Sequence, residues 1–382
     1  MKKSGRKRLS GLLLGFLLFF SAAAAEPLPA HDLVARTPNE DSEELCSHDF
    51  CFWQMTEGEL DESLVWQVLM QPLTVLKGGQ RDQVKVRKLP EKECREYVGV
   101  VTCASQGVHV IRQEGDWTLI EAYSSCWEGS DVGIYAERFQ GYVETKLLKE
   151  LPVDDEYGLV IDKLQQRLYV YREGHLYSTL LCSTGFPKED GSTPFHETPA
   201  GEYAIVSWVG EFTTDTGLHC DKALRINSGI MLHEVPYRVK IDEKTGEEKK
   251  DYSRCEKYLG EKASHGCIRI QKELTPERVN AKWLWNNLSR KPVTKVIIWD
   301  EIGRILGEPD EDYPLYYNPN GGRNYHSSPE CILVNQEYWP LKAFTWGELE
   351  EEPYSSLSPC PGCAPQPRRE GIDTLNEKNT RK

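Results

Sequence analysis

Residues 263–270 read ASHGCIRI. A thiol is the best protein nucleophile near neutral pH, provided its thiolate can be reached. For acyl chemistry it needs a base, and donors for the oxyanion that develops on the attacked carbonyl. Ser264, His265, Gly266 and Cys267 offer much of that set side by side. Gly266 removes a side chain just before the thiol, so a carbonyl can approach the backbone. The N–H groups of Cys267 and of Gly266 or His265 are then the candidate oxyanion donors, and Ser264 can pin the turn by hydrogen bonding. Two histidines compete as base. His265 shares a strand parity with Cys267, but the turn at Gly266 can hold the two apart. His233 ends the apolar run SGIMLH, as a polar residue does at the rim of a site. A lone cysteine or histidine in an apolar strand is more often a packed core residue. It is the run S-H-G-C that points to chemistry.

Positioning such a site takes a rigid scaffold, and the surrounding sequence reads as strands. YGLVIDKLQQRLYVYREGHLYSTLLCSTG gives three strands with tight turns at KLQQ and EGH. TPAGEYAIVSWVG, ALRINSGIMLH, SHGCIRI and TKVIIWD continue the pattern, so residues 156–300 read as one all-β domain. It carries one long charged insertion, KIDEKTGEEKKDYSR, with too few apolar residues for a core. Two readings of it stand: a solvated hairpin, or a flap over the site.

SHGCIRI with the upstream LH resembles the signature of the L,D-transpeptidase family, also called the YkuD domain. VIDKLQQRLYVYREG is similar to that family's opening hairpin, CSTG to its third strand and TPAGEYAI to its Thr-Pro-x-Gly-aromatic turn. The resemblance implies a mainly β fold with a YkuD-type β-sandwich, Cys267 as nucleophile and His233 as general base and acid. His265, Gly266 and Cys267 would offer backbone donors to the oxyanion, with Ser264 in support. Arg269 stands where the family usually has Asn or Arg, and would support the site or a substrate carboxylate. It further implies acyl transfer on peptidoglycan. Cys267 would attack the third-residue carbonyl of a tetrapeptide stem, release D-Ala, and pass the acyl group to an amine as a 3→3 cross-link. Water in place of the amine would make an L,D-carboxypeptidase. No cofactor is required. Two features depart from the family. Glu234 follows His233 where Gly or Ser is usual, which leaves the third catalytic group open between a side chain and a backbone carbonyl near Glu234. The gap from His233 to Ser264 is also long, and the charged insertion fills it.

Other readings are weaker on residue order. A papain-like wall peptidase places its Cys first, on a helix, and its His later. A metal site of His233, His265 and Cys267 is a further alternative, as is a non-catalytic wall-binding protein that keeps the fold. Labelling of Cys267 by a carbapenem, a β-lactam class that the family is known to accept, separates that last reading from an enzyme.

The rest of the chain frames this domain. Residues 1–25 read as a signal peptide: a basic start, GLLLGFLLFF, and a small-residue cleavage site at Ala23-x-Ala25. The mature protein is then extracytoplasmic, secreted and wall-associated, touching membrane only through that segment if it stays uncleaved. Residues 26–65 read as a lead-in, and LDESLVWQVLMQPL within and beyond it as a short helix stopped by Pro72. Residues 66–152 hold short alternating runs with Gly and Pro breaks. They resemble a bacterial SH3-like domain, through VKVRKLP, EGDWTLIEAY with Trp117, and GYVETKLL. Such domains bind wall polymers or peptides. The formal net charge of -14 excludes nucleic acid as an average partner. Twelve cysteines in an exported chain suggest disulfides, but their spacings match no single scaffold, and all can equally stay reduced.

Residues 314–366 read as a separate unit with two ligand pairs, His326-x4-Cys331 and Cys360-x2-Cys363. Cys-x2-Cys is a common half-site for tetrahedral Zn²⁺. YYNPNGGRNYHSSPEC…PCPGCAP resembles small metal-binding modules appended to bacterial proteins, among them that of the Ada repair protein. A unit this small is expected to have little core of its own, so a structural zinc would supply stability. Its loss on Cys360→Ser is expected to spare catalysis at Cys267. The alternative is a Cys360–Cys363 disulfide or free thiols. Residues 367–382 are polar and read as a disordered tail.

Overall fold

The computed structural model describes residues 62–125, 131–186, 194–290 and 293–380. The residues read as a signal peptide and its cleavage site, most of the expected lead-in, and Cys46, Cys51 and Cys126 lie outside the described residues. No described helix is long and apolar enough to cross a membrane.

The first described element is helix α1, Glu62–Met70. Val65, Val68 and Leu69 fall on one stripe and are buried. They pack on Val160, Tyr169, Tyr171, Ile297 and Trp299, all from the domain that starts near residue 156. The helix therefore serves that later domain, and belongs to neither the lead-in nor the SH3-like unit to which the sequence reading divides it. Its length offers too little apolar surface for stability alone, and the sheet supplies the partner.

Strands β1 (Leu73–Leu76), β2 (Gln83–Arg87), β3 (Tyr97–Thr102), β4 (His109–Glu114), β5 (Trp117–Ser125), β6 (Tyr135–Glu144) and β7 (Leu148–Leu151) follow. β2 to β6 form one five-stranded sheet in the order β3-β2-β6-β5-β4, and β1 pairs with β7. Their core is Leu76, Val86, Val101, Ile120 and Phe139, among others. This unit is bound to the next by main-chain bonds from Gly107 N–H to Glu202 O and Ala204 N–H to Ser105 O, both 2.8 Å.

The central domain comprises β8 (Tyr157–Asp162), β9 (Arg167–Arg172), β10 (His175–Ser183), β11 (Gly201–Ile205), β12 (Ser207–Thr213), β13 (His219–Asn227) and β14 (Ile230–Glu234). It continues through β15 (Arg238–Ile241), β16 (Glu248–Asp251), α2 (Ser253–Glu256), β17 (Ile268–Ile270), α3 (Ala281–Leu288) and β18 (Thr294–Trp299). Nine of these strands form one sheet, in the order β11-β18-β8-β9-β10-β17-β14-β13-β12. β11, at one end of that order, touches β13 near the other, so the sheet curls onto itself. Leu159, Ile161 and Val170 from one half share a core with Leu224, Ile226 and Leu232 from the other. The fold is mainly β, as the sequence reads, though not all-β in this domain. Helix α3 closes the core with Ala281, Leu284 and Leu288. Asn280 caps it, accepting from Trp283 N–H at 3.0 Å. Two tryptophans in WLWNNL gave that stretch no strand period, and its helical period is short enough to miss.

The charged insertion forms the exposed hairpin β15–β16. The segment that follows it behaves differently. Cys255 is buried with Leu218 and Val235, which holds residues 254–262 against the site side of the sheet.

The last unit has β19 (Pro314–Tyr317), β20 (Asn324–His326), β21 (Lys342–Thr345), β22 (Ser358–Pro359) and helix α4 (Arg369–Thr380). It carries a larger core than its length suggested: Leu315, Tyr325, Phe344, Trp346, Leu349, Leu357 and Ile372. The expected disordered tail is the helix α4. Ile372 buries on that core, and the Asn376 side chain both accepts from Leu306 N–H (2.8 Å) and donates to Leu306 O (2.9 Å). A polar sequence hid one apolar anchor and one amide clamp.

Candidate active site

The site grows out of one strand pairing. β14 and β17 are parallel neighbours, with Leu232 opposite Ile268 and His233 opposite Arg269. Cys267 stands two residues before Arg269, so strand alternation puts it on the same face as His233 and Arg269. His233 and Cys267 both open onto one cleft of about 1370 Å³, larger than the roughly 300–1,000 Å³ of ordinary small-molecule pockets. Phe212, Cys220, Arg269 and Tyr258 also line it.

His233 is buried, and its ring stands edge-on to Phe212 at 5.5 Å. Its Nδ1 lies 2.7 Å from the carbonyl oxygen of Glu234. A carbonyl can only accept, so Nδ1 carries the proton and Nε2 is left as the acceptor. Burial pulls the imidazole down to about 4, the bond to Glu234 O opposes this, and the Arg269 charge adds to it. The ring is thus a neutral base at working pH. The Glu234 side chain faces elsewhere, bound by Lys222 Nζ at 2.6 Å and Tyr252 Oη at 3.0 Å.

Cys267 is half-buried, with Sγ 3.7 Å from Gly229 O. Burial raises its thiol, while the Met231 backbone N–H, Arg269 and Arg225 pull it back. Burial thus disfavours the charged form of both groups. Cys220 and Cys255 are further thiols of the cleft, and both are buried. Burial pushes the Cys220 thiol up to about 12, which disfavours it as nucleophile.

The turn before Cys267 is held from three sides. Ser264 Oγ donates to Cys267 O and accepts from Gly266 N–H at 3.1 Å. Gly266 has φ +106°, a region that side chains rarely enter. Its N–H is spent on Ser264, which removes it from the expected oxyanion donors and leaves those of Cys267 and His265. Arg269 donates to Ala263 O at 3.0 Å. The His265 ring is exposed and stacks on His196, with centroids 4.1 Å apart, so its ring is engaged away from the base role.

Sequence reasoning passed over Thr198. Its hydroxyl donates to Gly266 O and accepts from Gly185 N–H, both at 2.8 Å. It joins the TPAG and CSTG segments to the SHGC turn. Those motifs were legible, but the join between them was not. Gly185 fits because a Cβ there would lie 1.8 Å from His196 O. Thr198→Val keeps the shape and strands both partners. Stability is expected to fall by about 1–3 kcal/mol, with slower reaction of the Cys267 thiol. An unchanged thermal midpoint and thiol rate would remove Thr198 from the support.

A buried charge cluster forms the far wall. Lys163 Nζ meets Glu197 (2.7 Å), Glu301 (3.0 Å) and Asp300 (3.1 Å), and Lys262 pairs with Glu301. Among the described residues, one group of His, Cys, Asp and Glu side chains brings its ligand atoms close enough to share a metal. It is His326, Cys331, Cys360 and Cys363; His233, His265 and Cys267 form no such group. All nine described cysteines are free.

A family model for the L,D-transpeptidase catalytic domain matches residues 156–298. No curated protein matches the chain. Among solved structures, an L,D-transpeptidase from Xylanimonas cellulosilytica is 17% identical over 39% of this chain and 64% of its own, with a TM-score of 0.26. One from Mycobacterium smegmatis is 16% identical over 50% of this chain and 99% of its own, at 0.28. One from Mycobacterium tuberculosis H37Rv is 16% identical over 61% and 92%, at 0.28. At such TM-scores these neighbours do not bear on the site.

Proposed function

We propose that the protein, whose residues 156–298 match the L,D-transpeptidase catalytic domain, is an exported peptidoglycan L,D-transpeptidase working through a Cys267 thioester. The observation that carries this is the fixed tautomer of His233: Nδ1–H is held by Glu234 O, and the basic Nε2 is left on the same cleft as the thiol. The donor is the third-residue carbonyl of a tetrapeptide stem. Cys267 Sγ bonds to that carbon as its proton passes to His233. The oxyanion forms against the N–H groups of Cys267 and His265. Collapse breaks the C–N bond, and His233 returns the proton to the leaving D-Ala amine. A second stem's side-chain amine then attacks the thioester, again losing its proton to His233. The amide forms, and the thiol leaves with the proton.

Thiol and imidazole suffice for this route, so no cofactor enters it. The basic, apolar, small-residue pattern at the N-terminus supports export, and the five-stranded N-terminal sheet supports an SH3-like unit that holds wall polymer. The Cys/His group at residues 326–363 supports a structural zinc outside the reaction.

Product analysis with purified protein and tetrapeptide stems tests the proposal. Released D-Ala together with 3→3 dimers is the expected result. Tripeptides without dimers would assign the thioester to water and make the protein a carboxypeptidase. Intact stems would leave a non-catalytic wall-binding protein.

A further inference from the structure

The His326, Cys331, Cys360 and Cys363 group is more than a matched spacing. All four ligand atoms lie within 4.8 Å of one another, and all four residues are buried. Cys331 Sγ is 3.7 Å from Cys360 Sγ, and Cys363 Sγ is 3.6 Å from His326 Nδ1. A tetrahedron with Zn–S bonds of about 2.3 Å has S···S edges of about 3.8 Å, and slightly shorter S···N edges. A disulfide needs about 2.05 Å. The side chains thus stand at the spacing of ligands round an ion. Ser327 N–H also points at Cys363 Sγ at 3.4 Å, the kind of outer bond that steadies a metal-bound thiolate. Cys331, Cys360, Cys363 and Leu341 are the buried members of this small cluster, so here the ligands largely are the core.

The loop between the last two ligands also reaches the catalytic strand. Gly362 O accepts from Gln271 Nε2 at 3.1 Å. Gln271 is fully buried, follows the end of β17, and stands four residues from Cys267. Its Oε1 accepts from Leu181 N–H at 2.6 Å on the neighbouring strand β10. A Cβ on Gly362 would come 3.1 Å from Leu274 O and 2.6 Å from Leu333 Cδ1, so the loop is pressed onto this segment. One amide side chain thereby joins the ligand loop to the edge between β10 and β17.

We propose that these four side chains bind one Zn²⁺, and that the ion braces the catalytic strand through the Gly362–Gln271 bond. The four ligands fill a tetrahedral shell, which makes the ion structural. Without it, three thiols and an imidazole lose their common partner and the Cys360–Cys363 loop loosens. Gln271 Nε2 then keeps only Glu273 O, at 3.0 Å, as acceptor, and β17 loses its tie to the ligand loop near the nucleophile. Gln271 acts as a positioning residue. This departs from the sequence-based expectation that the two units are independent and that catalysis survives loss of the metal unchanged. The activity arm of the test rests on the proposed function; the exchange arm does not.

The test uses the full-length protein with Zn²⁺ as the probe. Metal analysis is expected to give one zinc per chain. Chelation is expected to speed amide exchange in residues 268–274 roughly tenfold and to leave residues 157–172 unchanged, with recovery on adding Zn²⁺. Carbapenem acylation of Cys267 should slow in parallel. Gln271→Met should retain the zinc and reproduce the faster exchange; Gln271→Glu, which keeps the shape but cannot donate to Gly362 O when ionised, should do the same. Protein without zinc and with a disulfide among these cysteines would overturn the site. Zinc present but exchange at 268–274 indifferent to its removal would overturn the brace. Zinc-loaded protein that shows the exchange change but never acylates would leave the brace standing and sink the transpeptidase reading instead.

Discussion

Cys267→Ala is expected to abolish acyl-enzyme formation and D-Ala release while the protein stays folded. Ala is smaller than Cys and fits the site, the main chain of the turn is held by Ser264, Thr198 and Arg269 rather than by the thiol, and Cys267 is only half-buried. Little packing is therefore lost, whereas the only atom on the reaction path that can form the covalent bond is removed. The other thiols of the cleft are poor substitutes: Cys220 and Cys255 are both buried, and burial pushes the Cys220 thiol up to about 12. Thermal melting near the native midpoint, with no mass adduct from stem or carbapenem, is the expected pair of results. Release of D-Ala at the native rate would place the nucleophile elsewhere.

His233→Ala is expected to lower acylation by roughly 10²–10⁴-fold, the usual contribution of a positioned general base. His265→Ala should cost less, since that ring is stacked on His196 and its part in the site is through the backbone. Equal or reversed losses would exchange the two roles. The pH profile carries an independent signature. With burial as the main cause, the His233 imidazole is pulled down to about 4. It stays unprotonated, and so competent, above that pH, and acylation is lost as pH falls through about 4. An ordinary histidine would give an acid limb near 6.5. The same shift links to stability with a definite sign. Between about 6.5 and 4 the unfolded chain takes up a proton at this residue that the native state refuses, so stability falls as pH falls across that window. His233→Ala should flatten this part of the curve. An acid limb near 6.5 in the native protein would mean that the base is solvated, contrary to the buried geometry.

Chemistry was more legible in this sequence than packing. SHGC and the upstream LH mark a local turn and a strand end, and both survive as adjacent features of β14 and β17. The strands that carry the core of the central domain announced themselves because they are short, apolar and bounded by turn residues. Three things were not legible, for physical reasons. Gly266 N–H was counted as an oxyanion donor because sequence cannot say where a turn's own hydrogen bonds go, and Ser264 takes it. Thr198 acts across 68 positions in the chain, a tie made only by the curl of the sheet. Helix α1 and helix α4 each draw stability from surfaces far away in sequence: Trp299 and Ile297 for the first, and the aromatic core of the last unit for the second. The charged insertion divides between its two readings. Its hairpin is solvated, while its last residue, Arg254, lines the cleft together with Lys257 and Tyr258, which follow the insertion.

The most direct check on the central claim is the intact mass of the protein after brief exposure to a tetrapeptide stem without an acceptor amine, followed by peptide mapping. One adduct per chain is expected, raising the mass by that of the stem less free D-Ala, on the peptide carrying Cys267, and discharged when an amine-bearing stem is added. An adduct on any other residue, or D-Ala released with no thioester at Cys267 under rapid quenching, would contradict it.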